Sequence, residues 1–353
     1  MNDLLNLLVC PVCDSDQRDP IPLIRDSCSL TCSKCFTIFL ATGENIFRLM
    51  KPGADKKKET AAAFWGDIYT QLYSKTESIS QAEFVKQLGL LEEYFKLQNH
   101  LLTTEVDFTF IKDKIILEVG SGSGAHSALL RLHGAKVISM DLTPERVFST
   151  QRMLSNIDCS NNYMCLNADA ENIPLRSNSV DMIYSNGVLH HSPNTEKCIS
   201  EVERVLKPGG TAAMMLYCRT SALFYSLWFW WGLLNGSVFK APEEQWLGKI
   251  TEGIPLNQKE YNPVTRVYSR AQLYELLSKF EVLSLRKNSF DFGHFLPRGS
   301  GVLNQMIQRV TGRRKHPGGF LVYGSDGIVQ SDLERFLSKN LGFDWNILVQ
   351  KKI

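Results

Sequence analysis

Residues 115–124 read Ile-Ile-Leu-Glu-Val-Gly-Ser-Gly-Ser-Gly, an apolar run that ends in the carboxylate of Glu118 and three alternating glycines, Gly120, Gly122 and Gly124. Alternating glycines let a turn take φ > 0 and bring bare backbone close to a ligand. Glu118 bears on which ligand. A pyrophosphate wants helix-terminal N–H donors and no anion beside them, so the acid suits a nucleoside that carries an ammonium and no phosphate. Gly120, Gly122 and Ala125 also satisfy the dinucleotide fingerprint, and a dehydrogenase is the competing reading. Two further acids strengthen the nucleoside signal. Asp141 ends the apolar run Lys136–Met140, where it can accept both hydroxyls of a ribose, and Asp169 follows Tyr163–Leu166, where it can accept an adenine amino group. Either acid could instead cap the next helix.

A second constellation lies near the other end. Cys10-Pro11-Val12-Cys13 and Cys32-Ser33-Lys34-Cys35 are two Cys-x-x-Cys knuckles separated by 18 residues, the spacing of a four-cysteine zinc ribbon. Four protein thiolates leave no open coordination position, so the metal would be structural. A disulfide pair is the alternative. Cys28, Cys159, Cys165, Cys198 and Cys218 show no pairing pattern and Met1–Leu5 lacks the features of a secretory signal, which points to a reduced, cytoplasmic protein. Cys28 reads as a packing thiol.

These residues need elements to hold them. Ile115–Val119, Lys136–Met140, Tyr163–Leu166, Val180–Ser185 and Thr211–Tyr217 read as buried strands, with helices between them. One helix carries Ile199, Val202, Val205 and Leu206 on a face and stops at Lys207-Pro208-Gly209-Gly210. Strands alternating with helices at these lengths mean an α/β fold, a doubly wound parallel sheet. Glu281–Leu285 reads as a sixth strand and Trp345–Gln350 as a seventh, antiparallel at the edge. The 55 or so residues between them are too many for an ordinary connection and should hold helices or a lid.

The ordered set Glu118–Gly124, Asp141, Asn167–Leu175, Val180–His191 and the helix ending at Gly210 resembles the class I S-adenosylmethionine-dependent methyltransferases, nearest the group that includes the ubiquinone/menaquinone enzymes. The resemblance spans about residues 112–218. It implies a Rossmann-like, mostly parallel seven-stranded sheet and S-adenosylmethionine as cofactor. Gly120, Gly122 and Gly124 would cradle its methionine part above Glu118, and Asp141 would hold the ribose. Asp169 and Ala170 would flank the adenine with Leu142 packed beside it, and Asn186 would sit near the amino-acid end. The cysteine segment, residues 1–50, resembles the small zinc-binding activator subunit of certain tRNA and protein methyltransferases, here fused in cis. Residues 51–60 then read as a solvated linker, Lys56–Lys58 included. Residues 61–353 form the methyltransferase domain, with substrate-side insertions at about 220–270 and 287–342.

Composition narrows the partners. With 353 residues and 44% hydrophobic content the chain can bury a core, and a net charge of +2 gives no general basic field for nucleic acid. Residues 60–103 read as helices with two apolar faces, one of Phe64, Trp65, Ile68 and Tyr69, the other from Phe84 to Leu102. They could close over the cofactor or simply pack on the sheet. Ala222–Leu234 (ALFYSLWFWWGLL) is too short to span a bilayer. It should line a pocket for a lipophilic acceptor or fill core; contact with a membrane surface is the weaker option. His191, past the fourth strand, is the candidate base for an oxygen acceptor, or else bonds the turn before Pro193. Tyr217 and Arg219 are comparable candidates for orienting an acceptor. The expected function is methyl transfer to a small or lipophilic metabolite. An RNA- or protein-modifying enzyme that uses its ribbon for recognition is the alternative, and a non-catalytic cofactor-binding module is a third reading.

Overall fold

The computed structural model describes residues 3–13, 23–26, 29–43, 45–53, 55–72, 79–157, 162–251, 261–295, 306–307 and 309–353. Cys28 and Cys159 lie outside them. The N-terminal segment folds as four short strands, β1 (Leu23–Arg25), β2 (Ser29–Cys32), β3 (Ile38–Gly43) and β4 (Ile46–Arg48), each antiparallel to the next. Then follow β5 (Ile115–Val119), β6 (Lys136–Asp141), β7 (Tyr163–Asn167), β8 (Val180–Asn186), β9 (Leu206–Tyr217) and β10 (Phe280–Asn288). A two-stranded pair, β11 (Arg314–His316) and β12 (Gly327–Val329), and β13 (Asp344–Lys351) complete the set.

The large sheet has the order β7-β6-β5-β8-β9-β13-β10. Strands β7 through β9 run parallel, and β13 is antiparallel to both its neighbours. β13 therefore lies between β9 and β10 and not at the edge. The reason is its hydropathy: Trp345, Ile347 and Val349 are buried, whereas β10 alternates buried or half-buried with exposed positions over its first half and can face water.

Strand pleating divides the core between two faces. Leu117, Ile138, Met164 and Ile183 pack on one side with helix Thr195–Val205, and Ile116, Val137, Met182 and Tyr184 on the other with helix Gln81–Leu97. The N-terminal ribbon does not hang beside this sheet. β4 pairs in parallel with β7, Ile46 with Cys165 and Phe47 with Leu166, so one sheet of eleven strands runs through both. Leu4, Leu8, Phe39, Phe47 and Leu49 join the same buried cluster as Leu117 and Leu166. The segment 51–60 is a linker only as far as Asp55: helix α1 (Lys56–Leu72) begins at Lys56.

Candidate cofactor site and cysteine cluster

The turn after β5 shows why its glycines stand where they do. Gly120 has φ +81°, and a Cβ there would meet Val188 at 2.2 Å; Gly124, at φ +91°, would meet the backbone of Thr150 at 2.7 Å. Gly122 (φ +56°) is different, because its missing Cβ points at open space with Arg146 Nη1 3.6 Å away. The first and third glycines admit neighbouring elements. The second leaves room for a ligand.

That room belongs to a cavity of about 270 Å³ at the carboxyl edge of the sheet. Asp141, at the end of β6, lies on its wall with both carboxylate oxygens fixed, one accepting from Gly122 N (3.1 Å) and the other from Thr143 N (2.9 Å). Leu142, Asp169, Ala170, Asn186 and His191 line the same cavity. Glu118 does not. It is fully buried beneath the turn, where Ser127 donates to it and His126 Nδ1 stands 3.6 Å away. Burial raises its pKa above the usual carboxylate range. Its contact with the cavity runs through His126, which does line the wall.

Asp169 has a protein partner as well. Lys58 Nζ donates to Asp169 Oδ2 (2.5 Å) and to Glu171 Oε2 (2.7 Å), and Asp169 Oδ1 accepts from Glu171 N (2.9 Å). Lys58 is thus a half-buried bridge from α1 to the loop after β7, not a solvated linker residue. Glu171 also accepts from Ser192 and from Asn194 N (2.8 Å), tying this loop to the turn before helix Thr195–Val205. Burial alone would raise the Glu171 pKa, but the bonds from Lys58, Ser192 and Asn194 outweigh it and hold the group below the usual range. Two turns along α1, Trp65 closes over the cavity. Its ring is 5.4 Å from that of His191, and the Arg146 guanidinium lies 5.1 Å from its centroid. The leading helix does cover the site, through Lys58, Ala61 and Trp65.

His191 Nδ1 lies 2.7 Å from Asn262 Nδ2, 3.1 Å from Thr265 Oγ1 and 3.2 Å from the Val264 carbonyl. The turn before Pro193 is held instead by Arg266, which donates to Ser192 O (2.6 Å) and Pro193 O (2.9 Å). His190 is fully buried, tilted against Tyr217 with ring centroids 3.9 Å apart, and burial first, then its neighbour His191, push its pKa well below the ordinary value. Tyr217 also packs against the Phe343 ring, and Arg219 pairs with Glu243; neither lines the cavity. Arg146, Lys58 and His126 are the wall residues that sequence reading missed. For Lys58 the local sequence offers no signal, because its partners lie more than a hundred residues away.

The aromatic segment lies elsewhere. Helix Ala222–Leu227 continues as a π-helix, Trp228–Leu234, and turns Tyr225, Trp228, Phe229, Leu233 and Leu234 outward, Phe229 being 47% exposed. None of residues 222–234 lines the cavity. Only Ala222, Phe224, Leu227 and Gly232 are buried, with Phe224 packed on Trp246, Leu247, Val267 and Phe343. The segment is therefore largely a surface.

In the ribbon the two knuckles meet. The sulfurs of Cys10 and Cys35 are 3.6 Å apart, as are those of Cys13 and Cys32, and all four lie within 4.8 Å of one another. Thiolates about 2.3 Å from a tetrahedral Zn²⁺ sit about 3.8 Å apart. Lys34 N and Cys35 N point at Cys32 Sγ at 3.4 Å, holding the second knuckle open toward the centre. The donor set fits a closed zinc site.

Residues 117–214 match the family described as "Methyltransferase domain". This is a class I methyltransferase domain. The biotin biosynthesis bifunctional protein BioHC of Cellvibrio japonicus is 37% identical over 28% of this chain and 18% of its own length. A tRNA U34 carboxymethyltransferase of Ruthia magnifica is 32% identical over 28% and 31%, and a malonyl-[acyl-carrier protein] O-methyltransferase of Pectobacterium atrosepticum is 28% identical over 41% and 55%. The chain thus spans less than two thirds of the length of each. A solved complex of the Haloferax volcanii Trm112 methyltransferase activator with a candidate methyltransferase aligns with 77% of this chain and 97% of that chain at 13% identity and a TM-score of 0.46.

Proposed function

We propose that this protein binds S-adenosylmethionine in the cavity below α1 and transfers its methyl group to a small metabolite. The observation that carries the reading is Asp141. Its carboxylate is held by two backbone N–H groups beside the one glycine, Gly122, whose missing side chain opens onto the cavity. Oriented in this way, Asp141 has lone pairs left for both hydroxyls of a ribose. The bound cofactor would supply a methyl group on a positively charged sulfur.

The chain's own residues bind, cover and deprotonate. Gly120, Gly122 and Gly124 shape the cradle, with Glu118 and His126 beneath and beside it. Leu142 and Ala170 pack against the adenine, and Asp169 shares its carboxylate between Lys58 and the adenine amino group. Asn186 stands at the amino-acid end. Trp65 excludes water from above. The Val264 carbonyl can accept from His191 Nδ1–H, and in that tautomer Nε2 would take a proton from an oxygen or nitrogen acceptor. In-line displacement depends chiefly on positioning, which a walled cavity provides. Cys10, Cys13, Cys32 and Cys35 would hold one structural zinc ion with no catalytic part.

Calorimetry tests the reading. Asp141→Ala should weaken S-adenosylmethionine binding by about 1.5–3 kcal/mol, the range for a lost charge-assisted hydrogen bond. Unchanged affinity, or tighter binding of a nicotinamide dinucleotide, would sink it.

A further inference from the structure

Strand register lays a row of side chains across the sheet beyond the cofactor cavity. Asn186 on β8 pairs with Met215 on β9, Met215 with Asn346 on β13, and Asn346 with Arg286 on β10. Residues in direct register project to the same face. Two positions deeper, that face carries Tyr184, Ala213 and Leu348, part of the apolar cluster under helix Gln81–Leu97. Near the strand ends the floor changes from hydrocarbon to amide.

Above this floor is a second cavity of about 320 Å³, roofed in part by His100 and Tyr323. Asn186 lines both cavities, and consecutive residues, Val322 and Tyr323, line one each. The second cavity thus adjoins the end of the cofactor site where Asn186 stands. Its charges are already matched or negative. Arg313, at the wall, is bound by both Asp291 and Glu334, while Asp344 accepts from Ser289. An incoming carboxylate or phosphate would meet Asp291 and Asp344 with the guanidinium already spent. Arg286 already meets the Asn346 amide, and the Asn288 amide donates to the Gln98 and Asn99 carbonyls, but a hydrocarbon would still cover polar groups of Asn186, Ser289 and Gln330 that it cannot hydrogen-bond. Nothing from the aromatic segment 222–234 reaches this wall.

We infer that this second cavity is the acceptor site, and that it takes a small, polar, hydrogen-bonding molecule with no anionic group. The inference rests on the methyl-transfer reading above and replaces a lipophilic acceptor with a hydrophilic one.

Ligand-observed saturation-transfer NMR on the full chain, saturated with S-adenosylhomocysteine, tests it. The probes are three mixtures: amino alcohols with polyols, dicarboxylates, and alkylbenzenes. Signal should come from the first mixture. It should fall at least about fivefold, equivalent to roughly 1 kcal/mol, in both Asn346→Leu and Tyr323→Phe. Calorimetric affinity for S-adenosylhomocysteine should stay within about twofold, well under 1 kcal/mol. Two variants are used because Asn346 is buried and its replacement could impair folding; Tyr323→Phe is isosteric. Preferential signal from dicarboxylates or alkylbenzenes, no signal from any mixture, or full signal in both variants would overturn the acceptor assignment. Absence of S-adenosylhomocysteine and S-adenosylmethionine binding would instead overturn the methyl-transfer reading on which it stands.

Discussion

At the scale of single residues, the three glycines of the turn separate packing from binding. Alanine at Gly120 or Gly124 adds a clash with Val188 or with the Thr150 backbone to the strain of positive φ, so each should destabilise the fold by about 2–4 kcal/mol. Alanine at Gly122 keeps the strain alone and sends its methyl into the cavity. Its melting temperature should fall less, while its cofactor affinity drops at least about tenfold. Thermal melts paired with calorimetry on the three variants would decide. A Gly122→Ala protein with normal affinity would show that the ligand does not approach this turn. The buried histidines make a separate pH signature. His190 and His100 both have pKa values depressed by burial, so the unfolded chain takes up protons at pH values where the folded chain cannot. Stability should therefore be full above about 6.5 and decline as pH falls below it, by up to about 1.4 kcal/mol per unit for each histidine. Denaturant titrations at pH 7.5, 6 and 5 should show that slope, and His190→Leu should flatten it by about half.

Among the elements, α1 is the one whose role changes most between sequence and structure. Lys58 joins it to Asp169 and Glu171, over a hundred residues away. Lys58→Met should release the first turns of α1, leave two carboxylates without their cation, and cost about 1–3 kcal/mol after allowance for partial exposure. The pH dependence has a definite sign. Because the folded Glu171 pKa is depressed, its contribution is present above about 4.3 and is lost as pH falls through the lower folded value; Lys58→Met should erase that acid-side loss. Hydrogen exchange at residues 56–62 would report the released turns, and wild-type protection there would refute the bridge. Lys58 was illegible in the sequence because a lysine run after Pro52-Gly53 has the composition of a linker, and only tertiary folding supplies its partners. The same limit applies to His191, whose anchors at 262–265 follow some seventy positions later. Local signals read well: the β5 turn, Asp141 at a strand end and helix Ala125–Leu132 need no distant partner. Residues 222–234 misled for a different reason. Hydropathy predicts burial, but a segment of one π-helical turn set at the surface can cover only a few of its own side chains.

Over the whole molecule, the ribbon and the sheet cannot be treated as separable. Besides the β4–β7 pairing, the first knuckle and the residues before it touch the loop after β7 directly: Asn172 Nδ2 donates to the Pro11 carbonyl, Val9 N to Pro174 O (3.0 Å) and Arg176 N to Leu7 O (2.9 Å). A Cys10→Ser/Cys13→Ser protein should therefore lose its zinc, melt at lower temperature in one transition, and bind S-adenosylmethionine several-fold more weakly, since Asp169 lies on that loop. Elemental analysis, calorimetric melting and cofactor titration check the three parts. Two well-separated transitions with unaltered cofactor affinity would mean that the ribbon is an independent appendage. The parallel pairing of Ile46 with Cys165 also sets a schedule for synthesis. β4 leaves the ribosome well over a hundred residues ahead of the strand it must join, a delay on the order of ten seconds at roughly 5–20 residues per second. Throughout that interval the nascent ribbon has an open hydrogen-bonding edge, which is a template for pairing with the wrong chain. A fifty-residue unit cannot hold itself together for so long on its apolar contacts alone. On the proposed zinc reading, metal capture by the four cysteines comes first, while most of the enzyme has yet to be made, and zinc starvation should act on newly made chains well before it touches those already folded.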